Sequence, residues 1–489
     1  MTRVRLTKIV EALRRAGLLL AEHDALPQWI ESVTDDSRAV APHSLFLAVR
    51  GSDRDGHEYL DMAEQAGAVV AVVDDPTRTS LPSLQVSDTR RAAAVAAAAF
   101  YEQPAAQLRL AGVTGTNGKT TTVGMLRHLL DEPAARAASI GTLGVLIGSE
   151  GSPMDGGSGL TTPGPVELQR VLRSLHDAGV RTVAMETSSH ALHQGRVEGL
   201  RFEAGVFTNL TRDHLDYHVT MEAYFAAKAL LVSLLRAEGT AVVNADDAAW
   251  DALPAAPNTI HFGLRDGADV HAYNIVYSPR GSVWTLAIGA ERHTVHLPLI
   301  GDFNIANALA AAGAAWAMQV PPKEIARKLT SMPQVPGRLE IISEHPTVLR
   351  DYAHTPDALE RALDAVRPFT VGRLRVVFGC GGDRDRGKRP EMGRIAEAKA
   401  DRAIVTSDNP RTEDPERILD DIEAGMTAGR HERIEDRRTA IAHAVHAAGE
   451  GDVVVLAGKG HETYQIRGTV KYPFDEREIV REIIAEGVT

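Results

Sequence analysis

Basic charge is in short supply. Across 489 residues, 53 Lys and Arg face 65 Asp and Glu, a net charge of -12. General affinity for nucleic acid or anionic membrane needs a basic surface, so neither partner is expected. A local basic pocket for phosphates stays open. Cysteine is scarcer still. Cys380 stands alone, which excludes an intrachain disulfide and fits a reducing cytoplasm. No apolar run approaches the roughly 20 residues needed to cross a bilayer. The opening MTRVRLTKIVEALRRAGLLLAEHD lacks the apolar core and cleavage site of a secretory signal, and predicts an amphipathic helix. A soluble cytoplasmic monomer acting on small molecules is expected.

What is present is an ordinary globular composition, 44% hydrophobic and 24% charged, in a chain too long for one core. Short apolar runs such as SLFLAV and AVVAVVDD predict buried strands, and Pro104 closes a first unit at residues 1–104. From Leu108, strands alternate with helices: LRLAGV, RTVAMETS, EAGVFTN and TAVVNADD. That alternation predicts a mostly parallel, doubly wound α/β sheet over 105–335. Within it, 270–300 alternates apolar and polar residues as a small antiparallel patch would, and 148–159 (GSEGSPMDGGSG) reads as a mobile loop. After SMPQVPGR a third unit, 336–489, carries the strands TVLRDY, LRVVFG, RAIVTS and DVVVLAG.

Gly115, Thr116, Asn117, Gly118, Lys119, Thr120 and Thr121 lie between a strand and a helix. Glycines let the backbone N–H groups curl around a phosphate, and the helix N-terminus favours its charge. Lys119 can reach the β- and γ-phosphates, and the Thr120 hydroxyl can ligate Mg²⁺. The usual spacing would put glycine at 113, where this chain has Val113, so the loop is a variant P-loop. A nucleotide is expected there, which alone does not separate a ligase from a motor, switch or kinase.

Glu186 ends the strand RTVAMETS, where a carboxylate can serve Mg²⁺ directly or through water. His214, in TNLTRDHLDYH, reads equally as a second cation ligand or a plain loop histidine. Lys228, in AYFAAKALL, reads on its residues alone as a solvated helix lysine. Three later strands exit into GCGGDRDRGKRP, DNPR and AGKGHE. Ligands of open α/β sheets bind at such carboxyl ends. Arg384 and Arg411 with Asp408 and Glu462 suit a zwitterion such as an amino acid, Arg gripping a carboxylate bidentately.

Together DSR (36–38), GTNGKTT (115–121), METSSH (185–190), TNLTRDHLDYH (208–218), GDFNIANALAA, DYAHTPDAL, GCGGDRDRGKRP, DNPR and AGKGHE resemble the Mur ligases over essentially the whole chain. The resemblance is to the branch that adds the third residue of the peptidoglycan precursor peptide. It implies three domains: N-terminal for the UDP moiety, a central ATPase, and a C-terminal Rossmann-like domain. It implies a reaction in which ATP phosphorylates a carboxylate of a nucleotide-linked dipeptide and an amino acid's amine displaces phosphate. Ser37, Ser52, Asp53 and Arg54 would then touch the UDP part. Thr161, Thr162, Ser188, Gln194 and Arg196 would hold sugar and dipeptide. Asn304, Asn307, Arg338 and Asp351 would lie on the ATP side, some of them reached only on domain closure. Glu186, His214 and Thr120 would serve two Mg²⁺ ions.

The family's lysine at position 228 is carbamylated, which makes an anion of a cation. DNPR matches the version selecting diaminopimelate over lysine. The pocket would comprise Arg384, Asp408, Asn409, Pro410, Arg411, Gly458 and Glu462. Leu160 departs from relatives with Asn before the Thr-Thr pair. His354 and Asp351 both remain open as the amine's general base. Competing readings are a lysine-adding ligase, a folylpolyglutamate synthetase-like ligase, an inactive relative, and a nucleotide-dependent switch or motor.

Overall fold

The computed structural model describes residues 3–51, 54–157, 159–278 and 280–486. The chain forms two compact units. One holds residues 1–273, 286–293 and 306–329, the other 274–285, 294–305 and 330–489.

The first unit opens with helix Leu6–Arg15, which buries Leu6, Ile9, Val10 and Leu13 along one face. The expected helix stops there. Gly17, at φ +69°, turns the chain, and LLLAEHD instead forms the strand Leu19–His23. That strand edges a sheet in the order Leu19–His23, Ser83–Val86, Ala68–Val73, Ser44–Leu47, Ser32–Thr34, antiparallel only at its first pair. Apolar runs buried on both faces suit the parallel pairs.

In the central sheet, strand Arg109–Thr114 lies between Val180–Glu186 and Phe202–Phe207, parallel to both. Register pairs Glu186 with Val113 and Phe207 with Thr114, so both neighbouring strands release their chains beside the phosphate loop. Val113 is buried in the strand, which is why no glycine is needed there. The expected loop at 148–159 is partly strand: Ser152–Met154 pairs antiparallel with Gly144–Ile147. Alternation in 270–300 yields three successive strands, Val270–Ser278, Gly281–Ile288 and Glu291–Leu297.

The second unit carries a sheet ordered Glu340–Glu344, Thr347–Asp351, Val453–Ala457, Leu374–Phe378, Arg402–Val405, Glu432–Arg433. All pairs but the first are parallel. Asp351 pairs with Ala457, Val377 with Leu456 and Phe378 with Val405, so the loops after four strands leave from one edge.

Candidate active site

Tight packing shapes the phosphate loop. Gly115 has φ +148°, and a β-carbon there would stand 1.8 Å from the Thr208 hydroxyl oxygen. Gly118 has φ +84°, and its β-carbon would stand 2.3 Å from Asn307 Oδ1. Only glycine fits either position. Thr116 N–H donates to Asn209 O at 2.7 Å, and Asn117 N–H to Asn209 Oδ1 at 2.9 Å. Thr208 Oγ1 donates to Asn117 O at 2.7 Å. Thr208 and Asn209 thus brace the loop from the next strand, a role that the polar density of TNLTRDHLDYH hinted at without assigning. Lys119 Nζ folds back onto the carbonyls of Gly115 and Thr116, at 3.0 and 2.7 Å. Thr120 and Thr121 are buried at the start of helix Lys119–Leu130.

Lys228 corrects the sequence reading. It is 1% exposed, and its Nζ donates to Gly115 O at 2.7 Å and lies 4.4 Å from the Tyr224 ring centre. Burial, reinforced by the Lys119 charge, drives its pKa well below the usual lysine value and favours the neutral amine. On its helix, Met221–Ser233, Lys228 shares the buried face with Tyr224, Ala227, Leu231 and Val232, while Leu230 is exposed.

Glu186 is also buried. Its carboxylate accepts from the Thr142 N–H at 2.8 Å, a partner the sequence did not reveal. Around it the expected dipeptide residues gather. Thr162 Oγ1 donates to Glu186 O at 2.8 Å and accepts from Ser188 N–H at 3.0 Å. Ser188 caps the short helix Ser189–His193. Arg196 donates to Thr162 O at 3.1 Å and to Gln194 Oε1 at 2.6 Å, and Gln194 reaches Tyr217. Thr161 accepts from the Thr142 hydroxyl at 3.3 Å. Leu160 is exposed. Ser37 opens the turn Ser37–Ala39, and Arg54 reaches Tyr59 at 3.5 Å. Ser52 and Asp53 lie outside the described residues.

His214 is exposed at the left-handed φ of +53°, its ring 4.8 Å from that of His190. His190 and His218 are pushed down to about 4, by burial first and then by neighbouring histidines. Among the described residues no three His, Cys, Asp or Glu side chains group as a metal cage. Glu186, Thr120 and His214 are a sparse donor set. That suits an ion such as Mg²⁺, which keeps waters and takes phosphate oxygens.

In the second unit, Arg338 stacks over Tyr352 at 5.0 Å, and Asn304 donates to Ile300 O at 2.8 Å. Asp351 accepts from Leu339 N–H at 2.7 Å, and burial raises its carboxyl to about 6. His354 is exposed, with Nδ1 2.8 Å from Tyr352 O.

Three strand exits meet as expected. Asn409 Nδ2 donates to Glu462 Oε2 at 2.8 Å, and Gly382 N–H to Asn409 O at 2.9 Å. Arg411, at φ +52°, donates to Gly382 O at 2.7 Å. A β-carbon on Gly381 would stand 2.8 Å from Arg411 and 3.7 Å from Arg384; one on Gly382 would stand 1.9 Å from Pro410 O. Gly458 N–H donates to Asp351 O at 3.0 Å, and a β-carbon there would lie 3.5 Å from the Asp408 carboxylate. Burial, then Asp408, raises the Glu462 carboxyl. Lys459, unmarked in the sequence reading, is fully buried among these groups.

Comparison with known proteins accounts for the same segments. The Mur ligase family catalytic domain matches residues 30–115, the Mur ligase middle domain 113–315, and the Mur ligase glutamate ligase domain 337–460. A UDP-N-acetylmuramoyl-L-alanyl-D-glutamate--2,6-diaminopimelate ligase of Gloeobacter violaceus is 46% identical over 488 residues, covering 98% of each chain. One of Bacillus licheniformis is 41% identical, covering 99% of this chain and 100% of its own. A solved structure of the same description is 34% identical with a TM-score of 0.70, covering 100% of both chains. With its phosphate loop, its three strand exits and full-length relatives all in agreement, the chain belongs to the Mur ligase family.

Proposed function

We propose that this protein is the ATP-dependent amide ligase that joins diaminopimelate to the D-glutamate carboxylate of UDP-N-acetylmuramoyl-L-alanyl-D-glutamate, in peptidoglycan precursor synthesis. The observation that carries this reading is the meeting of DNPR with GCGGDRDR and AGKGHE at one sheet edge, in a chain whose full-length relatives bear that name. A nucleotide-dependent switch has no use for such a pocket.

The division of labour follows 1–104 for the UDP moiety, 105–335 for ATP and 336–489 for the amino acid. Residues 115–121 cradle the ATP phosphates, with Asn304, Asn307, Arg338 and Asp351 as further ATP contacts. Lys119 leaves its two carbonyl partners to neutralise the transferring phosphoryl group, since charge developing in a dry site is where a fixed cation acts most strongly. Ser37, Ser52, Asp53 and Arg54 take the UDP part. Thr161, Thr162, Ser188, Gln194 and Arg196 orient the dipeptide carboxylate beside Glu186.

Glu186, His214, Thr120 and carbamylated Lys228 would hold two Mg²⁺ ions, which when bound offset the repulsion between carboxylate and triphosphate. The neutral Lys228 amine is the form that adds CO₂, so its burial supports the modification. The dipeptide carboxylate attacks the γ-phosphorus, breaking its bond to the ADP oxygen and giving an acyl phosphate. The amine of diaminopimelate then attacks the acyl carbon; phosphate leaves, the nitrogen gives up a proton, and an amide remains. Arg384 and Arg411 grip the distal carboxylate, while Asp408, Asn409, Pro410, Gly458 and Glu462 complete the pocket. The single buried cysteine is in keeping with a reducing cytoplasm.

ADP release tests this reading, with Mg-ATP, the nucleotide dipeptide, and meso-diaminopimelate, LL-diaminopimelate or L-lysine in separate reactions. Release is expected only with the dipeptide and a diaminopimelate isomer. Lysine lacks the distal carboxylate that Arg411 would grip, so it is expected to turn over poorly. Equal turnover of lysine would remove the role given to Arg411. Release without dipeptide or amino acid would remove the ligase reading.

A further inference from the structure

Lys459 is 0% exposed, yet neither the phosphate chemistry nor the carboxylate grip uses it. Its Nζ donates to Asn409 Oδ1 at 3.0 Å and to Tyr464 O at 2.8 Å. It stands 3.5 Å from Asp408 Oδ1 and 3.8 Å from Glu462 Oε2. Asn409 Oδ1 also accepts from Ile466 N–H at 2.9 Å. With two donors on its oxygen, the Asn409 amide can present only its NH₂ to Glu462, which it meets at 2.8 Å. Gln465 Nε2 reaches Asp408 O at 2.9 Å, and Arg411 N–H reaches Ile466 O at 3.1 Å. The hairpin Tyr464–Arg467 and Val470–Pro473 is thereby strapped to DNPR, with Lys459 as the pin. Behind Lys459, Arg437 and Glu476 are paired with each other at 2.8 Å.

One cation therefore serves two carboxylates, the buried Asp408 and the half-buried Glu462. Asp408 Oδ1 is buried, and no hydrogen-bond donor reaches it among the described residues; Lys459 is its neighbouring charge. Two carboxylates facing one another without a counter-ion do not both stay ionised; one takes up a proton. Lys459, 3.5 Å from Asp408 Oδ1 and 3.8 Å from Glu462 Oε2, stands where it offsets the repulsion between the two carboxylates.

Resting on the reading of this pocket as the amino-acid site, we propose that Lys459 is a positioning residue that holds the Asp408 and Glu462 carboxylates together and Asn409 oriented, so that these groups receive an ammonium group of the incoming diamino acid. Lys459 acts through these three side chains, with no contact to the reacting atoms.

Steady-state kinetics of Lys459→Met, Glu462→Gln and the double variant test this. Lys459→Met should raise KM for diaminopimelate at least about tenfold, with KM for ATP and for the nucleotide dipeptide within about twofold of the parent. Glu462→Gln should also raise it. In the Glu462→Gln background, adding Lys459→Met should raise it by less than about threefold, because no second carboxylate then faces Asp408. Should Lys459→Met alone fail to fold, the double variant removes cation and anion together and still supplies that comparison. An unchanged KM for diaminopimelate in Lys459→Met would overturn the proposal. So would equal factors in both backgrounds, or a rise shared by all three substrates. If Glu462→Gln leaves KM for diaminopimelate unchanged, the pocket assignment itself falls, and the proposal with it.

Discussion

Lys228 and Lys459 are equally hidden, at 1% and 0% exposed, but chemically opposite. Lys228 has a backbone carbonyl and an aromatic ring for company, and burial together with Lys119 pushes it toward the neutral amine. Lys459 is also lowered by burial, but Asp408 and Glu462 pull it back. The comparison teaches that burial alone does not decide a lysine's chemistry. A buried amine facing another cation is pushed toward the neutral, nucleophilic form; one set between two carboxylates is pulled back toward the cation.

The largest effect that would sharpen the contrast is catalytic. Lys228→Met should lower kcat by about 10³-fold, the scale of losing one preorganised charged group at a phosphoryl-transfer site. Added formate or acetate in Lys228→Ala should restore part of the activity by supplying the missing anion. Full activity without additive would end the carbamylation reading.

Next comes stability. Lys459→Met leaves the buried Asp408 carboxylate unmatched and should destabilise the second unit by about 3 kcal/mol in urea unfolding. Lys228→Met buries an apolar chain in place of an amine and should cost less than about 1 kcal/mol. Equal costs at both positions would break the comparison.

Asp351 extends it to carboxylates, since burial raises its group from 3.8 to about 6. The folded state holds the proton more tightly than the unfolded chain. The associated stability is therefore full below about pH 4, falls as pH rises toward 6, and is absent above. That shift corresponds to at most about 3 kcal/mol. Asp351→Asn should be more stable than the parent at pH 8, with the difference shrinking to nothing near pH 4. A difference that stays constant between those two pH values would show that Asp351 is ionised throughout.

Much of the architecture was legible because its signals are local. Apolar runs marked the strands, and glycines before Lys119 marked a loop whose backbone must approach both Thr208 and Asn307. The misses have local causes too. GSEGSPMDGGSG looked unstructured because its composition favours turns, yet Ser152–Met154 gains hydrogen bonds from a neighbouring strand. LLLAEHD looked helical because it continued an amphipathic pattern that Gly17 cuts. Lys228 looked solvated because a charge on a helix is usually outside, but it lies on the face of Met221–Ser233 that also buries Tyr224 and Leu231.

The amino-acid sequence by itself determined the strand-and-helix alternation, the variant phosphate loop and the three polar strand exits, each written in contiguous residues. Which residues act together was decided only by tertiary structure. Sheet order sets Glu186 and Thr208 beside the phosphate loop, and it draws Asp408, Lys459 and Glu462 into one cluster. The charge state of a buried group depends on neighbours distant in the chain, through the loss of water and the distance to the nearest opposite charge.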